Sequence, residues 1–245
     1  YTREIRFHEW LGDTWCVLFA QHCDYTPVGS TELGQIGKKS KEFEKRNCKL
    51  IVLGLSFPSH YVLTISTDAL ATHCSWVRDI EYTQNADIFF PFVSDFSRRI
   101  AKAFGLVCPE AIYADELFTV RTCFFIAPDK YVFANDIVAE HTGPLLAIDL
   151  SIQVGRNVDE ILRILDALQL CEKYKGVCTP GNWKKGEDVC ILPEVTDEEA
   201  TELFPKGGFV PQRESICVLP LIHPLDDRHI RWFPDTIKRS AKSRV

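Results

Sequence analysis

Two apolar runs, "TWCVLFA" (14–20) and "CKLIVLGLS" (48–56), constrain this chain more than any other feature. Short apolar runs of this kind, bounded by polar residues, predict buried strands. Between them, residues 30–47 mix polar and apolar side chains at helical spacing and end in "EFEKRN". The pattern then continues. "THCSWVRDIEY" has helical character, "FFPFVSD" (89–95) is strand-like, and "FSRRIAKAFG" reads as a helix closed by Gly105. "VRTCFFIAPDKYVFA" predicts two strands joined by a Pro-Asp turn. In "NVDEILRILDALQL", Asn157 and Glu160 resemble a capping box, and Val158, Ile161, Leu162, Leu165 and Leu168 form an apolar stripe. Strands alternating with helices predict an α/β layer fold.

The texture changes after Leu170. Residues 171–209 are rich in turns, proline and glycine, which predicts a smaller appended segment with limited regular structure. The expected division is therefore 1–170 and 171–245. A chain of 245 residues, 46% hydrophobic and 25% charged, suits one sizeable core with a small second domain. A net charge of −6 and a pI near 5.7 argue against a general nucleic-acid binder. No apolar run reaches the roughly 18 residues of a membrane span. The closing "IKRSAKSRV" reads as a solvated basic tail.

The ten cysteines are scattered, and several lie within apolar runs, where a thiol acts as a small hydrophobe. This predicts a reducing compartment, cytoplasmic or mitochondrial, with no disulfide framework. Two His-Cys pairs, His22-Cys23 and His73-Cys74, match no zinc spacing, so no metal and no other cofactor is expected. The sequence starts at Tyr1 and contains no methionine, which predicts that the natural N-terminus lies upstream.

The segment "HCDYTPVGSTELG" (22–34) leads from an apolar run into a helical pattern. Together with "KEFEKRNCKLIVLGLS", "RTCFFIAPDK", "VGRNVDEILRILDALQL", "CTPGNWKKGEDVCILP" and "TDEEATELFPKGG", it resembles the six-type 1-Cys peroxiredoxins, in order and spacing, over most of the chain. The resemblance implies a thioredoxin-like fold with a small C-terminal α+β extension, residues 171–245, that serves dimerisation. In that family a loop-to-helix motif, Pro-x-x-x-Thr-x-x-Cys, carries a thiolate that attacks the peroxide O–O bond and becomes a sulfenic acid. Here the motif reads His22-x-x-x-Thr26-x-x-Gly29. By the resemblance, Gly29 stands where the peroxidatic cysteine belongs. Thr26, Glu32, Arg121 and Arg156 match the rest of the site. A site emptied at Gly29 would leave a gap that draws a small anion or is filled by a neighbour such as His22.

Cys23 is the fallback nucleophile. Six residues of loop displace its sulfur by about 10 Å or more from the position of Gly29, and position controls rate by orders of magnitude. The family also carries a lipase-like G-x-S-x-G motif. Here it reads "GDTWC", with Thr14 for the serine and His8 and Asp129 matching the other members; Thr is a poor acyl nucleophile in a site shaped for Ser. Three apolar insertions relative to the family, near 57–67, 133–152 and 213–227, predict surfaces for a homodimer or for a larger complex. Two functions compete. One is a catalytically inactive peroxiredoxin used as a structural or interaction subunit; the other is a thiol peroxidase working through Cys23. The missing cysteine, the missing lipase serine and the insertions favour the first.

Overall fold

The computed structural model describes residues 5–21, 23–54, 69–95, 99–106, 121–129, 132–133, 153–192, 195, 199, 210–212 and 216–219. They belong to two compact units, Tyr1–Val158 and Asp159–Val245. The sequence reading divides the chain at Leu170, near the end of a helix, and the units divide at the start of that helix.

In the first unit, β1 (Trp15–Gln21) is buried at every residue. Covering both faces of a strand demands this unbroken apolar run. On one side of it lies β2 (Cys48–Gly54), parallel, in register from Trp15 opposite Cys48 to Gln21 opposite Gly54. β3 (Phe92–Ser94) adds parallel to β2. On the other side β4 (Cys123–Ile126) runs antiparallel, with Cys16 opposite Ile126 and Phe19 opposite Cys123, and β5 (Val132–Phe133) closes the five-stranded order β3-β2-β1-β4-β5.

Alternation along the strands sorts side chains to two faces. Cys16, Leu18 and Ala20 join Ile51, Leu53, Phe124 and Ile126 in one cluster, capped by Leu11 of α1 (Phe7–Leu11) and by Ala101 of α5 (Arg99–Ala103). Gly105 follows α5 with φ 65°, the left-handed stop expected there. The helical stretch after β1 is two helices, α2 (Pro27–Lys38) and α3 (Ser40–Glu44). α4 (Ala69–Gln84) packs on α2 at close range: a Cβ on Gly34 would lie 2.5 Å from Gln84 Cβ, so a glycine is required there.

All of α6 (Val158–Lys173) but its first residue belongs to the second unit, and Val158, Ile161, Leu162 and Leu165 are buried, as the stripe predicts. The regular structure after it is limited, as expected: a small antiparallel sheet of order β6-β7-β9-β8, made of Val177–Cys178, Val189–Ile191, Ile216–Leu219 and Val210–Gln212. Its strands are two to four residues long, too short for a period to stand out among the turn residues. Trp183, 2% exposed, centres the core with Val177, Val189 and Ile191. Its indole N–H donates to Glu187 O at 3.0 Å, so a polar group enters an apolar core with a partner.

Most of the three apolar insertions lies outside the described residues. Phe133 is in β5, and residues 216–219 are strand β9, hydrogen-bonded between β7 and β8. That portion of the third insertion packs back on its own chain.

Candidate functional site

β1 delivers the chain to a tight loop, and the loop delivers it to α2. Tyr25 takes φ 59°, a left-handed conformation uncommon for a bulky residue. Thr26 is then extended (φ −71°, ψ 134°), and Pro27 begins the helix, where its missing N–H costs nothing. The Ser30 hydroxyl and amide both donate to Thr26 O at 2.9 Å, and the Trp76 indole donates to Ser30 Oγ at 2.8 Å. These bonds tie the first turn of α2 to α4.

Gly29 is buried in that first turn. A Cβ built on it would collide with Thr26 Oγ1, and would lie 3.3 Å from Gln21 Oε1 and 3.7 Å from the Trp76 ring. The Thr26 side chain makes no capping bond to the helix; its hydroxyl leans over Gly29 instead. The Thr26 hydroxyl thus stands where a side chain at this position would begin, and His22, the neighbour expected to fill a gap there, lies outside the described residues.

Behind the turn stands a buried charge cluster. Glu32, 3% exposed, is ion-paired with Arg121 and, at 3.1 Å, with Arg156. Arg156 also donates its backbone N–H to Glu32 Oε1 at 2.5 Å and its Nη2 to Ala20 O at 2.8 Å. Arg121 Nη1 donates to Val154 O at 3.2 Å. One carboxylate thus answers two guanidinium groups in a low-dielectric setting, where such pairs interact strongly. Burial draws the Arg156 guanidinium below its usual value, while Glu32 acts to hold it up. Of the four side chains grouped from sequence, Glu32, Arg121 and Arg156 meet in one buried cluster, and Thr26 stands over Gly29, one turn of α2 before Glu32.

Cys23 is half-buried. Burial, and then the charge of Asp24, push its thiol above the ordinary value. A nucleophilic cysteine needs the opposite, a neighbour that favours thiolate. Asp24 is itself engaged: its carboxylate lies 2.6 Å from His73 Nδ1, with both side chains 5% exposed or less. The imidazole lies over Gly54 at the end of β2, where a Cβ would come within 2.6 Å of the ring. Sequence reasoning missed this pair, because Asp24 and His73 are far apart in the chain and share no motif. Cys74 is exposed while its neighbour His73 is buried. Among the described residues no three His, Cys, Asp or Glu side chains are grouped to hold a metal.

The AhpC/TSA family model matches residues 1–134, and the model for the C-terminal domain of 1-Cys peroxiredoxin matches residues 167–207. The chain belongs to the 1-Cys peroxiredoxin family. It is 41% identical over 204 residues to a 1-Cys peroxiredoxin of Dictyostelium discoideum, covering 83% of this chain and 73% of that protein. It is 39% identical over 211 residues to peroxiredoxin-6 of Gallus gallus, covering 84% and 83%. Among solved structures it resembles peroxiredoxin 6 of Arenicola marina (TM-score 0.70, 32% identity, 89% of this chain and 90% of that one) and a yeast mitochondrial 1-Cys peroxiredoxin (TM-score 0.68, 34% identity, 86% and 89%). The thioredoxin-like α/β fold with a C-terminal extension domain is the fold of this peroxiredoxin.

Of the lipase-like motif, Gly12 and Thr14 hold the turn between α1 and β1. Gly12 ends α1 at φ 59°, its N–H bonded to His8 O at 3.1 Å. The Thr14 hydroxyl donates to Leu11 O at 2.6 Å. His8 and Asp129 are exposed, and Cys16 is fully buried in β1. No helix among the described residues is long and apolar enough to cross a membrane.

Proposed function

We propose that this peroxiredoxin has lost its peroxidatic cysteine and acts as a catalytically inactive structural or interaction subunit. The observation that carries this reading is Gly29, in the first turn of α2, with the Thr26 hydroxyl in the space its side chain would need. Peroxide reduction by this family's chemistry begins when a thiolate attacks one peroxide oxygen and the O–O bond breaks. Gly29 offers no electron pair for that step. Glu32, Arg121 and Arg156 then serve the fold: their ion pairs and hydrogen bonds tie α2 to β1, to the residues just before β4 and to the segment leading into α6. Dismantling such a network one member at a time is costly, which accounts for its survival without chemistry.

Cys23 is a poor substitute. Its thiol is pushed up, and it sits before the turn, outside α2. The retained function is assembly, with a second copy or with another subunit, in an intracellular reducing compartment. The apolar segments near 57–67, 133–152 and 213–227 support that role by composition; residues 216–219 are already used within the chain.

The test pairs peroxide consumption with sizing. The protein should consume hydrogen peroxide no faster than its Cys23→Ser variant, and should run as an oligomer or co-purify with a defined partner under mild conditions. Rapid consumption abolished by Cys23→Ser would replace this reading with a displaced-nucleophile peroxidase.

A further inference from the structure

In the second unit, strands β6 and β7 pair antiparallel with Cys178 directly opposite Cys190. Their neighbours Val177 and Ile191, 4% and 6% exposed, point into the Trp183 core. Alternation sends both cysteines to the other face, where both are part-exposed and their thiols are hydrogen-bonded to one another. Among the described residues β6 ends the order of its sheet, and Cys178 on it is part-exposed. Cys171, near the end of α6, is hydrogen-bonded to the Thr179 backbone, one residue from Cys178.

We propose that Cys178 and Cys190 form a redox-sensitive dithiol that closes to a cross-strand disulfide on reaction with a low-molecular-weight disulfide of the glutathione class. Residues directly opposite in an antiparallel ladder have Cα atoms about 4.5 or 5.5 Å apart. Both spacings fall within the roughly 4.4–6.8 Å that a disulfide spans.

The exchange balances without another reactant. One protein thiolate attacks a sulfur of the small disulfide, its S–S bond breaks, and one small thiol leaves with a proton. The second protein thiolate then attacks the protein-bound sulfur of the mixed disulfide and expels the second small thiol. Two protein S–H groups are oxidised and one small disulfide is reduced to two thiols. The product clamps edge strand β6 to β7 and closes the turn that carries Trp183. Burial pushes the Cys190 thiol up, and the bond from Cys178 offsets part of that shift. Exchange therefore quickens as the solution becomes alkaline. The proposal does not depend on the chemistry at Gly29.

Tryptic mapping tests it on the whole protein. Lys173, Lys175, Lys184 and Lys185 place Cys171, Cys178 and Cys190 in three separate tryptic peptides. The protein is incubated with oxidised glutathione, free thiols are alkylated, and the digest is run without reductant. The expected result is a disulfide-linked species joining peptides 176–184 and 186–206, lost on reduction, absent in Cys178→Ser and retained in Cys171→Ser. Recovery of both peptides alkylated under excess oxidised glutathione overturns the proposal. So does glutathione held on Cys178 or Cys190 without closure, or a link from Cys178 to Cys171.

Discussion

The Thr26 hydroxyl oxygen stands over Gly29, in the space where a side chain at that position would begin. The two residues therefore form one arrangement: the Thr26 hydroxyl holds the volume that a side chain on Gly29 would need.

Gly29→Cys consequently has two opposed effects. Replacing a helical glycine gains about 0.5–1 kcal/mol of propensity. Forcing a Cβ against Thr26 costs about 1–3 kcal/mol as overpacking. The expected outcome is a variant less stable by about 1 kcal/mol in urea unfolding, whose stability returns when Thr26→Ala is added. A variant as stable as the parent would mean that Thr26 rotates freely and that the crowding is incidental. In either background the new thiol, at the N-terminal turn of α2 and one turn before the Glu32 that binds two guanidinium groups, should react with peroxide faster than Cys23 does.

Glu32→Gln removes the carboxylate that two buried guanidinium groups share. Breaking a buried pair from one side costs about 3–5 kcal/mol, because the remaining charges are left uncompensated. A fall of that size in unfolding free energy is expected. A loss below about 1 kcal/mol would show that water reaches Arg121 and Arg156 and that the cluster is not the brace described above.

His73→Ala removes the imidazole that holds Asp24, so it should loosen the loop before α2 more than the sheet. Limited proteolysis is expected to cut near residues 23–26 sooner in the variant, while amides of β1 and β2 remain protected from exchange. Uniform loss of protection across the first unit would instead make the pair part of the global core.

The buried thiols are expected to contribute to the alkaline limb of stability. Burial pushes Cys123 up to about 12 and holds Cys16 and Cys48 well above the ordinary thiol value. In the unfolded chain these thiols ionise first, so the folded state binds more protons and stability falls as pH rises from the ordinary thiol value toward the folded one. Each thiol can contribute up to about 1.4 kcal/mol per pH unit in that window. Below it their contribution is constant. Urea midpoints measured from neutral to alkaline pH should decline, and decline less steeply in Cys123→Ala. Parallel curves for the two proteins would show that other groups govern the alkaline limb.

Much of the first unit is legible in the amino-acid order because its determinants are local. The runs at 14–20 and 48–56 have no polar alternation, and a strand covered on both faces requires that whatever surrounds it. Gly105 ends its helix, and the stripe from Val158 to Leu165 is buried, for equally local reasons of backbone freedom and period. The motif around Thr26 and Gly29 is likewise readable, since Thr26, Pro27 and Gly29 are close in the chain. Tertiary structure alone decides the rest. Asp24 meets His73, and Cys178 meets Cys190, only because strand pairing and helix packing bring distant segments together. Neither encounter leaves a period or a spacing in the chain. The position of the Thr26 hydroxyl is of the same kind: sequence shows that Gly29 has no side chain, but which neighbour takes up the space is settled by the packing of β1, α2 and α4 around it.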